Sequence, residues 1–345
     1  MALRYAAYWI MDLFHAERKT PVKPVTARAN SNIAFIKYWG NADDTLRLPA
    51  NSSISMNIDG IHTETTVEWV ESLDADALTL NDHPAPAPAL QRVSQHLDLI
   101  RQRAGIDLYA QVISTNNFPM GAGIASSASA FAALTVAACA AADLDLSERE
   151  LTTLARQGSG SASRSVPPGF VVWHKADTDA DSYAETVAAP EHWDLVDVIA
   201  IVSSEHKAVV SRAGHTTADT SDLQAARVAG AAERLRACQQ AIMGRDFAAF
   251  AEVVEHDSNL MHAVMMTSRP PLFYWLPPTL TIMNQVRQWR EQDGLNVCYT
   301  LDAGPNVHCM CLAKDAEAVR ERLGTLPGVT DIRSGGPGDG AVIIV

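Results

Sequence analysis

The stretch SASAFAALTVAACAAA, residues 127–142, is a helix with almost no side chains. Alanine is the strongest helix former, and so small a surface can pack closely against a sheet, so this segment asks for a sheet as its partner. What precedes it is as restrictive. In NFPMGAGIASSASAF, residues 117–131, two glycines leave backbone amides uncovered and three serines open the helix. Unpaired amides and the positive end of the helix dipole make an anion-binding nest. Pro119, Gly121, Gly123, Ser126, Ser127 and Ser129 are its candidate contacts, and one serine hydroxyl can ligate a divalent cation. Taken alone, the same letters also describe a tight strand-to-helix turn. They lack the lysine of the Walker A pattern and the spacing of the dinucleotide fingerprint.

The rest of the chain supplies the sheet. TARANSNIAFIKYW, SISMNIDG, HTETTVEWV and DLYAQVISTNN have the alternating, β-branched pattern of strands. Helices are expected near 88–103, after the Ser147/Glu150 capping box up to Gly158, and near 221–243, 246–263, 278–292 and 315–323. WDLVDVIAIVS reads as a buried strand that begins a second unit, followed by VCYTLDAGPNVHCMCL as strand, turn and strand and by GAVIIV as its closing strand. A chain of 345 residues exceeds what one core usually organises. The expected division is a helical extension and linker over 1–24, one domain over 25–193 and another over 194–345.

Charge and cysteine usage exclude several classes. A formal charge of −13 repels nucleic acid and anionic membrane, so any anionic ligand needs a local positive site. The five cysteines show no C-x-x-C spacing, which argues against a disulfide framework or a zinc site and for a reducing, cytoplasmic setting. No apolar run approaches the ~20 residues of a membrane span. The N-terminal MALRYAAYWIMDLFHAERK reads as an amphipathic helix whose Tyr5, Tyr8, Trp9 and Phe14 could clasp a second subunit, so a homodimer is the expected assembly.

Five motifs occur together and in order: SNIAFIKYWG (31–40), RLPANSSISM (47–56), NFPMGAGIASSASAFAAL, GSGSASRS (158–165) and TLDAGPNVH (300–308). The set resembles the mevalonate diphosphate decarboxylases, within the galactokinase, homoserine kinase, mevalonate kinase and phosphomevalonate kinase (GHMP) superfamily. It extends from about residue 25 to the C-terminus. The resemblance implies an α+β fold: an N-terminal domain like ribosomal protein S5 domain 2, a ferredoxin-like C-terminal domain, and an active site in the cleft between them. It also implies ATP and Mg²⁺, with the glycine and serine stretch as the nucleotide phosphate loop, Ser127 as the metal contact and Lys207 beside the nucleotide.

The family's chemistry gives the remaining residues expected roles. A tertiary 3-hydroxy acid does not readily lose CO₂; phosphorylating its hydroxyl makes a leaving group, whose departure lets the carboxylate go. Asp302, on the DAGPN turn, is the candidate base or electrostatic organiser at that hydroxyl, although Asp before Gly and Pro is more often an Asx-turn residue. Lys37 lies in a strand-like run where an unpaired ammonium would be costly, so it should pair with Asp302 or a phosphate. Arg164 can grip a carboxylate at two points. Ser159, Gly160 and Ser161 form a donor-rich loop beside it, Tyr38 is a further substrate contact, and Asn32 and Asn51 are plausible supports.

Two departures from the family pattern concern the substrate's 5-substituent. Asn41 stands where the family has a second lysine. In SRAGH, Arg212 is kept but His215 replaces a methionine. One cation is lost and a titratable donor gained, as expected for a monophosphate, with a pH signature if His215 is protonated; compensation by Lys207 or Lys175 is the alternative. The leading expectation is ATP-dependent decarboxylation of mevalonate 5-phosphate to isopentenyl phosphate. Decarboxylation of the 5-diphosphate, a 3-kinase that stops before decarboxylation, and a silent nucleotide sensor are the other readings.

Overall fold

The computed structural model describes residues 23–118, 126–203 and 214–344. The expected N-terminal helix lies outside them. The chain opens with β1 (Val25–Ile36), β2 (Asn41–Asp43), β3 (Leu48–Pro49), β4 (Ser53–Val70), β5 (Ala77–Leu80) and β6 (His83–Pro84). Next come α1 (Ala87–Ala104), β7 (Tyr109–Asn116), α2 (Ser126–Ala141), α3 (Glu148–Gly158), β8 (Phe170–Trp173) and β9 (Ala184–Ala188). A 3₁₀ turn, Gly160–Ser165, separates α3 from β8. The second half runs β10 (Leu195–Ile201), α4 (Gln224–Ala229), α5 (Ala231–Gly244), α6 (Phe247–Thr267), α7 (Pro277–Asp293), β11 (Val297–Thr300), β12 (Val307–Leu312), α8 (Ala316–Gly324), β13 (Asp331–Gly335) and β14 (Val342–Ile343).

Two sheets result. The larger has the order β14-β1-β4-β7-β5-β6, with β8 on β4 and β9 on β8; the smaller has the order β11-β12-β10-β13. The two runs SISMNIDG and HTETTVEWV prove to be one strand, β4. Where β1 advances from Asn30 to Asn32, β4 steps from His62 to Asn57, so an irregularity there lets one strand serve two neighbours: β8 along its first half and β7 along its second. GAVIIV does not close the second sheet as its sequence position suggested. Its strand β14 returns to the first and pairs Ile343 with Ala27, covering an edge of β1 that would otherwise present unpaired amides. The helix expected over 221–243 is divided at Gly230 into α4 and α5.

Three layers of helices stack on these two sheets. Helices α1, α2 and α3 cover one face of the large sheet, where Ala132, Ala133, Ala137 and Ala138 of α2 are completely buried with Val67, Trp69 and Val112. The alanines let α2 approach until the Trp69 indole N–H reaches the Ala138 carbonyl at 3.2 Å. The opposite face meets α5 and α6: Phe35 of β1 lies edge-on to Phe250 of α6, centroids 4.8 Å apart, and Trp193 packs on Phe250 at 5.2 Å. Leu195, Ile199 and Met310 of the small sheet join this same core. Helices α7 and α8 close the far face. All five cysteines are free and buried. No helix among the described residues is long and apolar enough to cross a membrane.

Because α2 sits so close to the sheet, a larger side chain at Ala132 has nowhere to go. Ala132→Leu should destabilise the protein by about 1–3 kcal/mol, read as a lower urea midpoint at unchanged slope. An unchanged midpoint would mean that the contact is looser than described.

Candidate active site

The last turn of β1 and the turn after β11 meet between the two sheets. Lys37, just past β1, is almost wholly buried, at 1% side-chain exposure, and its Nζ lies 2.8 Å from Asp302 Oδ1. An isolated ammonium in such a place would cost several kcal/mol. Burial pushes the Lys37 pKa below its ordinary value, while the charges of Asp302 and Asp257 pull it back up. Asp302 keeps 25% of its side chain exposed, so the pair has one open flank.

Arg164 approaches from the 3₁₀ turn. Its Nη1 donates to Ser53 Oγ at 2.7 Å and its Nη2 to Asn32 Oδ1 at 3.4 Å. Its Nε has no partner among the described residues. Burial lowers its pKa to about 10, with Asp302 opposing, so the guanidinium stays charged at neutral pH. Asn32 holds the same turn from the other side, donating to the Ser161 carbonyl at 3.1 Å and to Ser165 Oγ at 2.8 Å. From Ser161 a row of hydroxyls leads to α2: Ser161 Oγ lies 3.4 Å from Ser159 Oγ, which lies 3.2 Å from Ser127 Oγ. Ser126 opens the helix.

Tyr38 forms the wall beside this turn. Its hydroxyl donates to Asn41 Oδ1, and its ring stacks on His215 with centroids 4.2 Å apart. Burial raises the phenol pKa to about 12, so it remains a donor. A Cβ on Gly160 would stand 2.6 Å from the Tyr38 ring, which explains the glycine. At Gly40 the backbone has φ +91°, and a side chain would strike Gln224 Nε2 at 2.4 Å. Asn41 Nδ2 is turned to Asp44 Oδ1 at 2.7 Å. His215 Nδ1 accepts the Gly40 N–H at 3.1 Å, so its ring proton sits on Nε2. Burial first, then the charges of Arg47, Arg227 and Arg164, lower its pKa to about 3. The histidine is therefore a neutral donor in this structure, and on that ground no pH signature of its protonated form is expected in the neutral range.

Ser129 does not join the row of hydroxyls. It is buried against the sheet, 2.7 Å from Thr63 Oγ1, because residue 129 falls on the face of α2 turned to β4. Pro119, Gly121, Gly123, Lys207 and Arg212 lie outside the described residues. Lys175 is exposed, its backbone N–H bonded to Ser52 Oγ.

A set of buried charges that the motifs did not flag holds the β1 end in place. Arg227 of α4 donates to the Trp39 carbonyl at 2.5 Å, to Asn51 Oδ1 at 3.0 Å and to the Lys37 carbonyl at 3.4 Å. Asn51 Nδ2 donates to that same Lys37 carbonyl at 3.0 Å. Asp257 of α6 accepts the Lys37 N–H at 2.7 Å and pairs with Arg234 at 2.6 Å. Arg47, from the β2–β3 hairpin, donates to the Gln157 carbonyl at 2.7 Å at the end of α3. The available signal was a carboxylate on an apolar helical stripe: Phe250, Val254, Asp257, Ser258 and Met261 share one buried face of α6.

Comparison with known proteins gives one family over most of the chain. Residues 29–184 match the diphosphomevalonate decarboxylase-like N-terminal domain, and residues 197–333 the mevalonate 5-diphosphate decarboxylase C-terminal domain. The diphosphomevalonate decarboxylase of Aspergillus fumigatus is 39% identical over 324 residues, covering 88% of this chain and 80% of that one. The phosphomevalonate decarboxylase of Haloferax volcanii is 32% identical over 316 residues, covering 91% and 96%. Among solved structures, MDDEF in complex with MVAPP, AMPPCP and magnesium is similar with a TM-score of 0.88 at 35% identity, covering 93% of this chain and 98% of that one.

Two further histidines are buried neutral. His96, bonded to Thr135 Oγ1 at 2.8 Å, and His262, near the Lys37 charge, both have pKa values lowered to about 3, chiefly by burial. The unfolded chain, with ordinary values of 6.5, takes up protons first as pH falls. The stability these groups confer should be complete above about pH 6.5 and decline as pH drops toward 3. Urea unfolding across that range checks it, and replacing His96 by Gln should flatten part of the slope.

Proposed function

The chain belongs to the diphosphomevalonate decarboxylase family, with its two-domain GHMP kinase fold, and from that we propose that it catalyses ATP-dependent decarboxylation of mevalonate 5-phosphate. The observation that carries the reaction is the buried Lys37–Asp302 pair at 2.8 Å, open on one flank and adjoined by the charged Arg164. Asp302 takes the proton of the 3-hydroxyl as its oxygen accepts the γ-phosphoryl group of ATP. Lys37 keeps the carboxylate ionised and oriented. The C3–O bond then breaks with its electrons leaving on phosphate, the C1–C2 electrons form the C2=C3 double bond, and CO₂ departs. Arg164 fits the carboxylate's side of this reaction, since its buried Nε retains a donor with no partner among the described residues and a planar guanidinium can hold a carboxylate at two points.

The hydroxyls of Ser127, Ser159 and Ser161 and the amide end of α2 suit a polyphosphate. The Ser127 hydroxyl would contribute to holding magnesium. Among the described residues no group of three or more His, Cys, Asp or Glu could hold a metal; a nucleotide-bound magnesium needs only one or two protein oxygens besides phosphate and water. When bound, magnesium neutralises charge on the transferring phosphates.

The substrate's tail is assigned on Asn41 and His215. Asn41 is engaged by Tyr38 and by the acidic Asp44, and His215 is neutral, so neither supplies a cation. A monophosphate asks for fewer cations than a diphosphate. One observation favours the diphosphate instead: the charge of Arg47 acts on both Tyr38 and His215 and could stand in for the missing lysine.

Measuring ADP and CO₂ release on mevalonate, its 5-phosphate and its 5-diphosphate tests the proposal. Mevalonate 5-phosphate should show the highest kcat/KM; clear preference for the diphosphate would transfer the assignment to Arg47 and the ordinary family substrate. Asn41→Lys should raise the diphosphate to monophosphate ratio by roughly ten- to a hundred-fold, the effect of one charge-assisted contact of about 1.5–3 kcal/mol. Asp302→Asn should cut kcat by roughly 10²–10⁴-fold with nucleotide binding preserved; near-normal turnover would remove Asp302 from the chemistry.

A further inference from the structure

Among the described residues strand β11 is an edge strand, paired only with β12. One amide on its outer edge and one just past its end are taken by side chains of one helix. The Tyr299 N–H donates to Glu255 Oε1 at 3.2 Å and the Leu301 N–H to Ser258 Oγ at 3.0 Å. Between these two on α6 stands Asp257, which accepts the Lys37 N–H of the other sheet at 2.7 Å. Thus one turn of α6 bonds the backbone of Lys37 itself and of the residue immediately before Asp302. Asp257 and Ser258 are both fully buried, and Arg234 neutralises the carboxylate's second oxygen. A wholly buried carboxylate and hydroxyl spent on two backbone amides, one from each sheet, is more than the packing of an apolar helix requires.

We infer that α6 acts as a jig for the reaction, with Asp257 and Ser258 as positioning residues that fix Lys37 and Asp302 relative to each other across the two sheets. The inference rests on the catalytic reading of that pair. Asp257 acts through the Lys37 backbone and through its charge. Ser258 acts through the Leu301 amide, which sets where the following carboxylate lies. The charged and titratable groups around Lys37 are Asp302 on the turn after β11, Asp257 and His262 on α6, Arg164 on the 3₁₀ turn and Arg227 on α4. Asp302 and Asp257 both raise the lysine pKa against its burial. Removing the charge of Asp257, or loosening Asp302 through Ser258, therefore moves Lys37 toward the neutral amine.

Two measurements test this. In protein carrying ¹³Cε-labelled lysine, the Lys37 resonance, assigned by its loss in Lys37→Arg, should titrate at lower pH in both Asp257→Asn and Ser258→Ala than in the wild type. In steady-state assays, Ser258→Ala should lose about tenfold in kcat, the equivalent of one misplaced hydrogen bond. Its KM for ATP and for the phosphomevalonate should stay within about twofold, and the basic limb of its pH profile should move to lower pH. Val253→Ala, on the same helix, loses apolar contact but no backbone acceptor; it should lower stability without changing the titration or kcat. An unmoved Lys37 titration in both variants, or a kcat loss that Val253→Ala reproduces, would overturn the inference and make the two residues purely structural. Should the wild type release CO₂ from neither phosphomevalonate, the catalytic reading fails instead, and the titration, which needs no turnover, still decides whether α6 holds the pair.

Discussion

A charged lysine kept out of water is the constraint on which the rest depends. Lys37 reaches its place from the end of a strand in one sheet, and its partner Asp302 comes from a turn in the other. Neither sheet can satisfy the charge alone. The two halves are bound to each other by this need, by Phe35 packing on Phe250, and by a core to which both sheets contribute. Breaking the relation would leave an ammonium buried without its counterion, a far larger penalty than loss of an exposed pair. Under the proposed function, the same constraint prepares the site for chemistry. A carboxylate held beside a fixed cation in a poorly solvated cleft is already oriented, so little reorganisation remains when substrate arrives.

Charge is handled locally throughout. The chain carries −13 overall, yet Lys37, Arg164 and Arg227 gather around one strand end, and Arg47 acts on the adjoining wall of Tyr38 and His215. Each buried guanidinium is placed against carbonyls, amide oxygens, hydroxyls or carboxylates. Such a concentration of cations in a negative molecule focuses attraction for anions on the cleft while the general surface repels them. The small residues serve the same end. Gly160 lets the serine turn lie against Tyr38, and the alanines of α2 bring the helix start to the large sheet. Side chains of ordinary size would have kept these parts several ångströms apart.

The motifs KYWG, GSGSASRS and DAGPN took their roles from the resemblance of the whole set to a known family; taken alone, only the lysine in a strand demanded a partner, since serine-rich loops and aspartate before glycine and proline are commonly ordinary turns. Ser129 illustrates the limit. It belongs to the same serine cluster as Ser127, but two residues of helix turn it toward Thr63 and the sheet. Asp257 and Arg227 illustrate the converse. Their importance comes from which backbone groups they meet, and those groups lie about 180–220 residues away in sequence. A helix such as EVVEHDSNLMHA shows only that a carboxylate sits on its apolar stripe.

By itself the sequence determined a mixture of helix and strand and an alanine helix packed on a sheet, because helical and strand periodicities are local properties; the α+β division and a phosphate-handling cleft between two domains were what the resemblance of its motifs to a known family implied. Only the tertiary structure decided that β14 returns to the first sheet, that His215 is held neutral between Tyr38 and the Gly40 amide, and that one turn of α6 holds both members of the Lys37–Asp302 pair. Those facts depend on burial and on hydrogen bonds between residues far apart in the chain. Desolvation and distant backbone partners are set when the layers close, and no local pattern encodes them.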